Sequence, residues 1–129
     1  MLTTPLDQPV STLVHAPVVD VHGTATLRQA AVVLAENQIG LLVVRRGALA
    51  VGVLSERDLV RAAAEGADLD DMRVSDMMSE DLAGVQSQAS VREALRVMST
   101  NGIRHLLVRA EGHVVGVLSA RDVLGVLDT

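Results

Sequence analysis

A chain of 129 residues with 49% hydrophobic and 21% charged side chains has room for one ordinary domain or two very small ones. It is too apolar for a disordered chain and too often interrupted for a membrane span of about 20 apolar residues. Sixteen acidic residues outnumber eleven basic ones, all of them Arg, and the net charge of -5 argues against a polyanion-binding surface, while the absence of Phe, Trp and Tyr removes platforms for stacking bases.

Met1 to Pro9 read as a loosely held tail with neither the basic n-region nor the apolar stretch of a secretory signal, so the expected compartment is cytoplasmic. Val18 to Val21 supply a short leading strand. Thr26-x-x-Gln29 is a capping box that opens a helix of about three turns, with Leu27, Ala30, Ala31 and Leu34 at helical spacing. Leu41 to Arg46 and Leu49 to Ser55 are β-rich runs joined by a turn at Arg46-Gly47-Ala48, and a second helix follows over Glu56 to Ala64. Residues 66–73, with Asp68, Asp70 and Asp71, form a polar connection. The series then repeats: a leading strand before Val85, a capping box at Ser90-x-x-Glu93, a helix carrying Val91, Ala94, Leu95 and Met98, strands over His105 to Arg109 and His113 to Ser119, and a helix over Ala120 to Leu127.

The repetition extends to the residues themselves. Residues 10–65 lie over 74–129 at a constant offset of 64, with Val10/Val74, Arg28/Arg92, Asn37/Asn101, Ile39/Ile103 and Leu42/Leu106 among the identical pairs. The densest block sets Val51-Gly52-Val53-Leu54-Ser55-Glu56-Arg57-Asp58 over Val115-Gly116-Val117-Leu118-Ser119-Ala120-Arg121-Asp122, where only Glu56 differs. Two copies are too few for a solenoid, so the expected fold is α+β, two β-α-β-β-α repeats (10–65 and 74–129) packed about a pseudo-twofold axis.

The Gly-Val-Leu-Ser-x-Arg-Asp block, the Asn-x-Ile-x-x-Leu-x-Val runs at Asn37 to Val44 and Asn101 to Val108, and their pairing in one register resemble tandem cystathionine-β-synthase (CBS) domains, the pair called a Bateman module. The resemblance covers residues 10–129. It implies a three-stranded sheet with two helices per repeat, and clefts between the repeats that take an adenosine derivative: AMP, ADP, ATP or S-adenosylmethionine. It also implies a disc-like homodimer built through the helices.

Read without the family, Ser55-x-x-Asp58 and Ser119-x-x-Asp122 sit at strand-to-helix junctions, where unpaired backbone N–H groups and the positive end of the helix dipole favour a phosphate. The serine hydroxyl can donate to a phosphate oxygen, and an ionised Asp can accept both hydroxyls of a ribose cis-diol. The same four residues also make ordinary helix caps, and the serines can serve in both ways. Gly52 and Gly116 fit a close approach by a ligand, a bulge, or tight packing.

The repeats differ at the start of the first hairpin strand, Ile39-Gly40-Leu41-Leu42 against Ile103-Arg104-His105-Leu106. By the resemblance, Arg104, His105, Ser119 and Asp122 form the phosphate and ribose end of one cleft. Val21, His22 and Thr24, after the leading strand, form its adenine end with Ile39 and Gly40 beside them. The mirror cleft pairs Ser55 and Asp58 with Val85, Gln86, Ile103 and Arg104; carrying less positive charge, it is expected to bind phosphates poorly or stay empty. Surface statistics alone make Arg104 a solvated side chain and His105 a satisfied strand-edge histidine. Arg57 and Arg121 are expected to point to water. His15, His22, His105 and His113 lack metal-ligand spacing, and Met72, Met77, Met78 and Met98 read as packing residues.

No Lys or Cys is present, which removes Schiff-base and thiol chemistry, and no Ser-His-Asp or paired-carboxylate arrangement has convincing spacing. The expectation is a non-enzymatic regulatory module that requires no cofactor, binds an adenine nucleotide, signals to an effector protein and contacts neither nucleic acid nor membrane. Its rival is a ligand-independent dimerisation scaffold with degenerate clefts.

Overall fold

In a computed structural model, residues 4–14 and 18–127 are described. The chain divides into two compact units, one made of Val19–Leu82 and the other of its two flanks, Met1–Val18 and Ala83–Thr129. His15, among the histidines considered above, lies outside the described residues.

The central unit runs β1 (Asp20–His22), α1 (Leu27–Asn37), β2 (Leu41–Arg46), β3 (Leu49–Ser55), α2 (Glu56–Ala64) and a single turn, α3 (Val74–Met77). Its sheet has the order β1-β2-β3, with β1 parallel and β3 antiparallel to β2. The flanking unit repeats the plan with β4 (Gly84–Gln86), α4 (Val91–Asn101), β5 (His105–Ala110), β6 (His113–Ser119) and α5 (Ala120–Leu127) in a β4-β5-β6 sheet. The expected α+β class and the repeated β-α-β-β-α order are both present. The leading strand is displaced: Asp20–His22 rather than Val18 to Val21.

Local signals account for these elements. Thr26 Oγ1 accepts from the Gln29 amide while Gln29 Oε1 accepts from the Thr26 amide, so both arms of the first capping box form. The second box is only half made: Ser90 Oγ accepts from the Glu93 amide, but the Glu93 carboxylate turns to Arg96 at 3.2 Å. Asn37 and Asn101 each donate from their side-chain amide to the carbonyl four residues back, Val33 and Val97, at 2.8 Å. The repeated Asn therefore closes a helix, and Gln38 and Gly102 follow in the left-handed region at φ 53° and 63°.

Each unit has its own aliphatic core. Leu27, Ala30 and Leu34 of α1 meet Leu42, Val44 and Leu54 of the sheet, and Val91, Ala94 and Met98 meet Leu106, Val108 and Leu118. Among the described residues no polar or charged side chain is buried.

Residues 4–14 are packed rather than loose. Val10 and Leu13, in a short 3-10 helix at Val10–Leu13, are buried in the core with α4, and Leu6 packs beside them. The Val10 amide donates to the Ala89 carbonyl and the Val91 amide to the Gln8 carbonyl. The 66–73 connection does the same for the central unit: Leu69 and Met72 pack on its core, and the Leu27 amide donates to the Met72 carbonyl. The acidic residues gave that connection its polar look, but Leu69 and Met72, three apart, share an apolar side. The segment leading into each repeat thus packs in the unit that holds the sheet of the other repeat.

Candidate functional site

The two Ser-x-x-Asp blocks sit where the last strand of each sheet turns into a helix. Leu41 pairs with Ser55, and the Glu56 amide donates to the Gly40 carbonyl at 3.0 Å. His105 pairs with Ser119, and the Ala120 amide donates to the Arg104 carbonyl at 2.8 Å. Arg104, His105, Ser119 and Asp122 therefore gather at one end of the flanking unit's sheet, and Ile39, Gly40, Ser55 and Asp58 at the matching end of the central unit's. The adjoining residues Arg57 and Arg121 are exposed.

Both blocks form complete capping boxes. Asp122 Oδ2 accepts from the Ser119 amide at 3.1 Å and Ser119 Oγ accepts from the Asp122 amide at 3.1 Å. Asp58 and Ser55 do the same at 2.9 and 3.1 Å. The cap uses one oxygen of each carboxylate, and Oδ1 has no hydrogen-bond partner among the described residues. Both Asp residues are half-buried. Arg104 is exposed, and its side chain makes no hydrogen bond or ion pair among the described residues.

The expected adenine end does not assemble as one cluster. Because β1 runs parallel to β2, Asp20, Val21 and His22 pair with Val43, Val44 and Arg45. His22 lies four residues along β2 from Leu41, about 13 Å at the rise of a strand. Val21, His22 and Thr24 therefore lead to the opposite end of the sheet from Ile39 and Gly40. Val85 and Gln86, paired with Val108 and Arg109, are separated from Ile103 in the same way. The residues that do lie beside the Ser-x-x-Asp ends precede the leading strands. Val19 accepts at its carbonyl from the Val43 amide and Ala83 from the Leu107 amide, each at 3.1 Å, with Val18 and Leu82 one step further out. Parallel strands joined by a helix begin at the same end, and that rule was the available signal.

Gly52 and Gly116 are sites of close packing by the chain itself. A β-carbon on Gly52 would stand 2.7 Å from Met78 Sδ and 2.8 Å from the Ser79 carbonyl oxygen; one on Gly116 would stand 3.2 Å from Val14 Cβ. A bulge adjoins both, between Val44 and Arg45 and between Val108 and Arg109. A wide groove of about 680 Å³ on the central unit is lined by Val21, Ala25, Val32, Val33, Arg28 and Asp70. None of Ile39, Gly40, Ser55 or Asp58 borders it.

Two ion pairs perturb their carboxylates, one joining α1 to the 66–73 connection and one near the start of the chain. Arg28 bonds Asp70 through Nε and Nη2, holding the Asp70 carboxyl below its usual range and raising the Arg28 guanidinium. Asp7 is also lowered, first by the Thr4 hydroxyl at 2.6 Å and then by Arg92 at 3.5 Å. Among the described residues no group of three or more His, Asp or Glu side chains is placed to hold a metal ion, and no helix is long and apolar enough to cross a membrane.

The model of the CBS domain matches residues 10–65 and again 74–129. The chain belongs to the CBS domain family. As a CBS domain pair it is a regulatory module, of a kind that is generally not catalytic. It is 35% identical over 115 residues to an uncharacterised 17.7 kDa protein of Acidianus ambivalens, covering 88% of this chain and 69% of that one. Three other curated relatives are longer, and the chain spans 54%, 44% and 35% of their lengths. Its fold matches the crystal structure of the CBS domain NE2398 with a TM-score of 0.86 at 25% identity, covering 95% of this chain and 99% of that one. It also matches the CBS domain protein PAE2072 from Pyrobaculum aerophilum, complexed with AMP, with a TM-score of 0.80 at 34% identity over 94% of this chain and 99% of that one.

Proposed function

We propose that this CBS domain pair is a non-enzymatic sensor that binds an adenosine-containing ligand, AMP, ADP, ATP or S-adenosylmethionine, and passes its occupancy to an effector protein. The observation that carries this reading is the gathering of Arg104, His105, Ser119 and Asp122 at one sheet end, with Asp122 Oδ1 left to accept a ribose hydroxyl. The exposed Arg104 guanidinium is a ready partner for phosphate oxygens. The AMP complex of a relative 34% identical supports adenosine as the shared element. At the equivalent end of the central unit Gly40 replaces Arg104, so the Ser55–Asp58 corner is the weaker phosphate binder. Val18, Val19, Leu82 and Ala83 supply the apolar contacts in place of His22, Thr24 and Gln86.

A ligand-independent scaffold is the second reading, favoured by one observation: each Ser-x-x-Asp block already satisfies its own cap. Both readings include self-association. Val60 and Leu124, equivalent positions on α2 and α5, are 68% and 61% exposed and suit a helix-mediated homodimer.

Thermal unfolding with each of the four ligands, on the parent and on Asp122→Ala and Asp58→Ala, separates the readings. A ligand at 100 times its dissociation constant stabilises by about 2.7 kcal/mol. Asp122→Ala is expected to weaken binding roughly 10- to 150-fold, the range set by one charge-assisted hydrogen bond. No shift with any of the four ligands leaves the scaffold.

A further inference from the structure

At the other end of the central sheet, away from the Ser55–Asp58 corner, the chain forms a small cavity of about 100 Å³ whose lining includes His22, Thr24, Arg45, Arg46 and Ser75, with Val51 and Met78 beside them. We propose that this corner binds a small oxyanion of the phosphate class.

The corner is basic on a chain that is acidic overall. Arg45 is held in place: its Nε donates to Asp20 Oδ1 at 3.0 Å and its Nη1 to the Gly47 carbonyl at 3.3 Å, which leaves Nη2 without a partner among the described residues. Arg46, next in the strand, is exposed and makes no hydrogen bond or ion pair among the described residues. His22 Nδ1 accepts from the Thr24 amide at 3.2 Å and lies 2.9 Å from Thr24 Oγ1, so the neutral ring carries its proton on Nε2 and presents a donor there. Among the described residues Asp20 is the one carboxylate paired with these groups, against two guanidiniums, an imidazole and two hydroxyls.

The duplication supplies an internal comparison. The repeats share a backbone plan and a bulge at this corner, yet His22 is replaced by Gln86, Arg46 by Ala110 and the hairpin residue Gly47 by Glu111. Arg45 has its equivalent in Arg109, so His22 and Arg46 are the donors that this copy of the corner adds. The size of the cavity suits a single tetrahedral anion rather than a nucleoside.

Titration with sodium phosphate at constant ionic strength, read by calorimetry and by backbone amide shifts, tests the assignment. Saturable binding is expected, with shifts at Thr24 and Arg45. Arg46→Ala and His22→Gln, which install the residues of the second repeat at exposed or half-buried positions, should each weaken it about tenfold, the loss of one charge-assisted contact. Methyl phosphate binding alongside inorganic phosphate would assign the corner to a phosphoryl group on a larger ligand, and its failure to bind would assign it to the free anion. Equal binding by both variants, an identical response to sodium chloride, or shifts at Ser119 and Ala120 instead would overturn the proposal. The last outcome would leave the Asp122 reading intact.

Discussion

Val14 lies over Gly116 so closely that a β-carbon on the glycine would come within 3.2 Å of the Val14 β-carbon, and Met78 stands in the same relation to Gly52. The two pairs are equivalents at the 64-residue offset, so each repeat sends a side chain from its own leading segment onto the last strand of the other repeat's sheet. Ser79 strengthens the central copy of this contact by exchanging two 2.9 Å backbone hydrogen bonds with Val53.

Gly116→Ala is therefore expected to destabilise by about 1 to 3 kcal/mol through overpacking. The double variant Val14→Ala/Gly116→Ala should recover part of that loss, because the obstructing atoms belong to a side chain. Gly52→Ala meets the Ser79 carbonyl, which truncating Met78 cannot remove, so Met78→Ala should rescue it less. Denaturant unfolding of the four single variants and the two pairs gives the coupling directly. Independent, additive effects would contradict the packing.

Much of this was legible in advance, for identifiable reasons. The constant register of 64 exposed the duplication, and capping residues with helical or alternating periodicity placed both helices and the hairpin of each repeat. Two features are hidden in the sequence. The acidic residues of 66–73 masked Leu69 and Met72, and the polar start of the chain masked Leu6, because a short segment that contributes two apolar side chains to a core has no periodicity to reveal it. The resemblance puts Val21, His22 and Thr24 beside Ile39 and Gly40, whereas a parallel β-α-β connection brings the residues before β1 to the start of β2. Gly52 and Gly116 remained ambiguous in sequence, since the atoms that need their missing side chains lie well outside the motif.

The leading segments make a local stability prediction. Leu13 is 7% exposed within the core shared with α4 and β6. Leu13→Ala should cost about 2 to 5 kcal/mol, the range for truncating a buried leucine. Hydrogen exchange should report the loss first in α4, β5 and β6 rather than in β2 and β3. Uniform acceleration across both sheets would mean that the two units unfold only together.

The ion pairs of these segments predict a weak acid dependence. Asp7 and Asp70 have folded pKa values below the ordinary carboxylate value of about 3.9. A lowered folded pKa adds stability that is present above the unfolded value and is lost as pH falls through the folded one. Stability should therefore hold through pH 5 to 7 and decline below about pH 4. Arg28→Ala should be slightly less stable at neutral pH and converge with the parent in strong acid, as expected when the partner of an exposed carboxylate is removed. Parallel curves at every pH would show that Arg28 contributes through packing instead.

The caps allow structure and ligand recognition to be separated at Asp122. Ser119→Ala removes the acceptor for the Asp122 amide and should cost about 1 kcal/mol, as should Ser55→Ala at the matching cap. Asp122→Asn differs: its amide oxygen can still accept from the Ser119 amide, so the helix start survives and the stability change should stay within about 0.5 kcal/mol. Its NH2 group, however, replaces the oxygen that would accept a ribose hydroxyl, and the carboxylate charge is gone. AMP titrations on these variants should then show a binding defect in Asp122→Asn with no matching loss of melting temperature. If affinity instead tracks cap stability across Ser119→Ala, Asp122→Asn and Asp122→Ala, the carboxylate acts by ordering the helix and not by contact with the sugar.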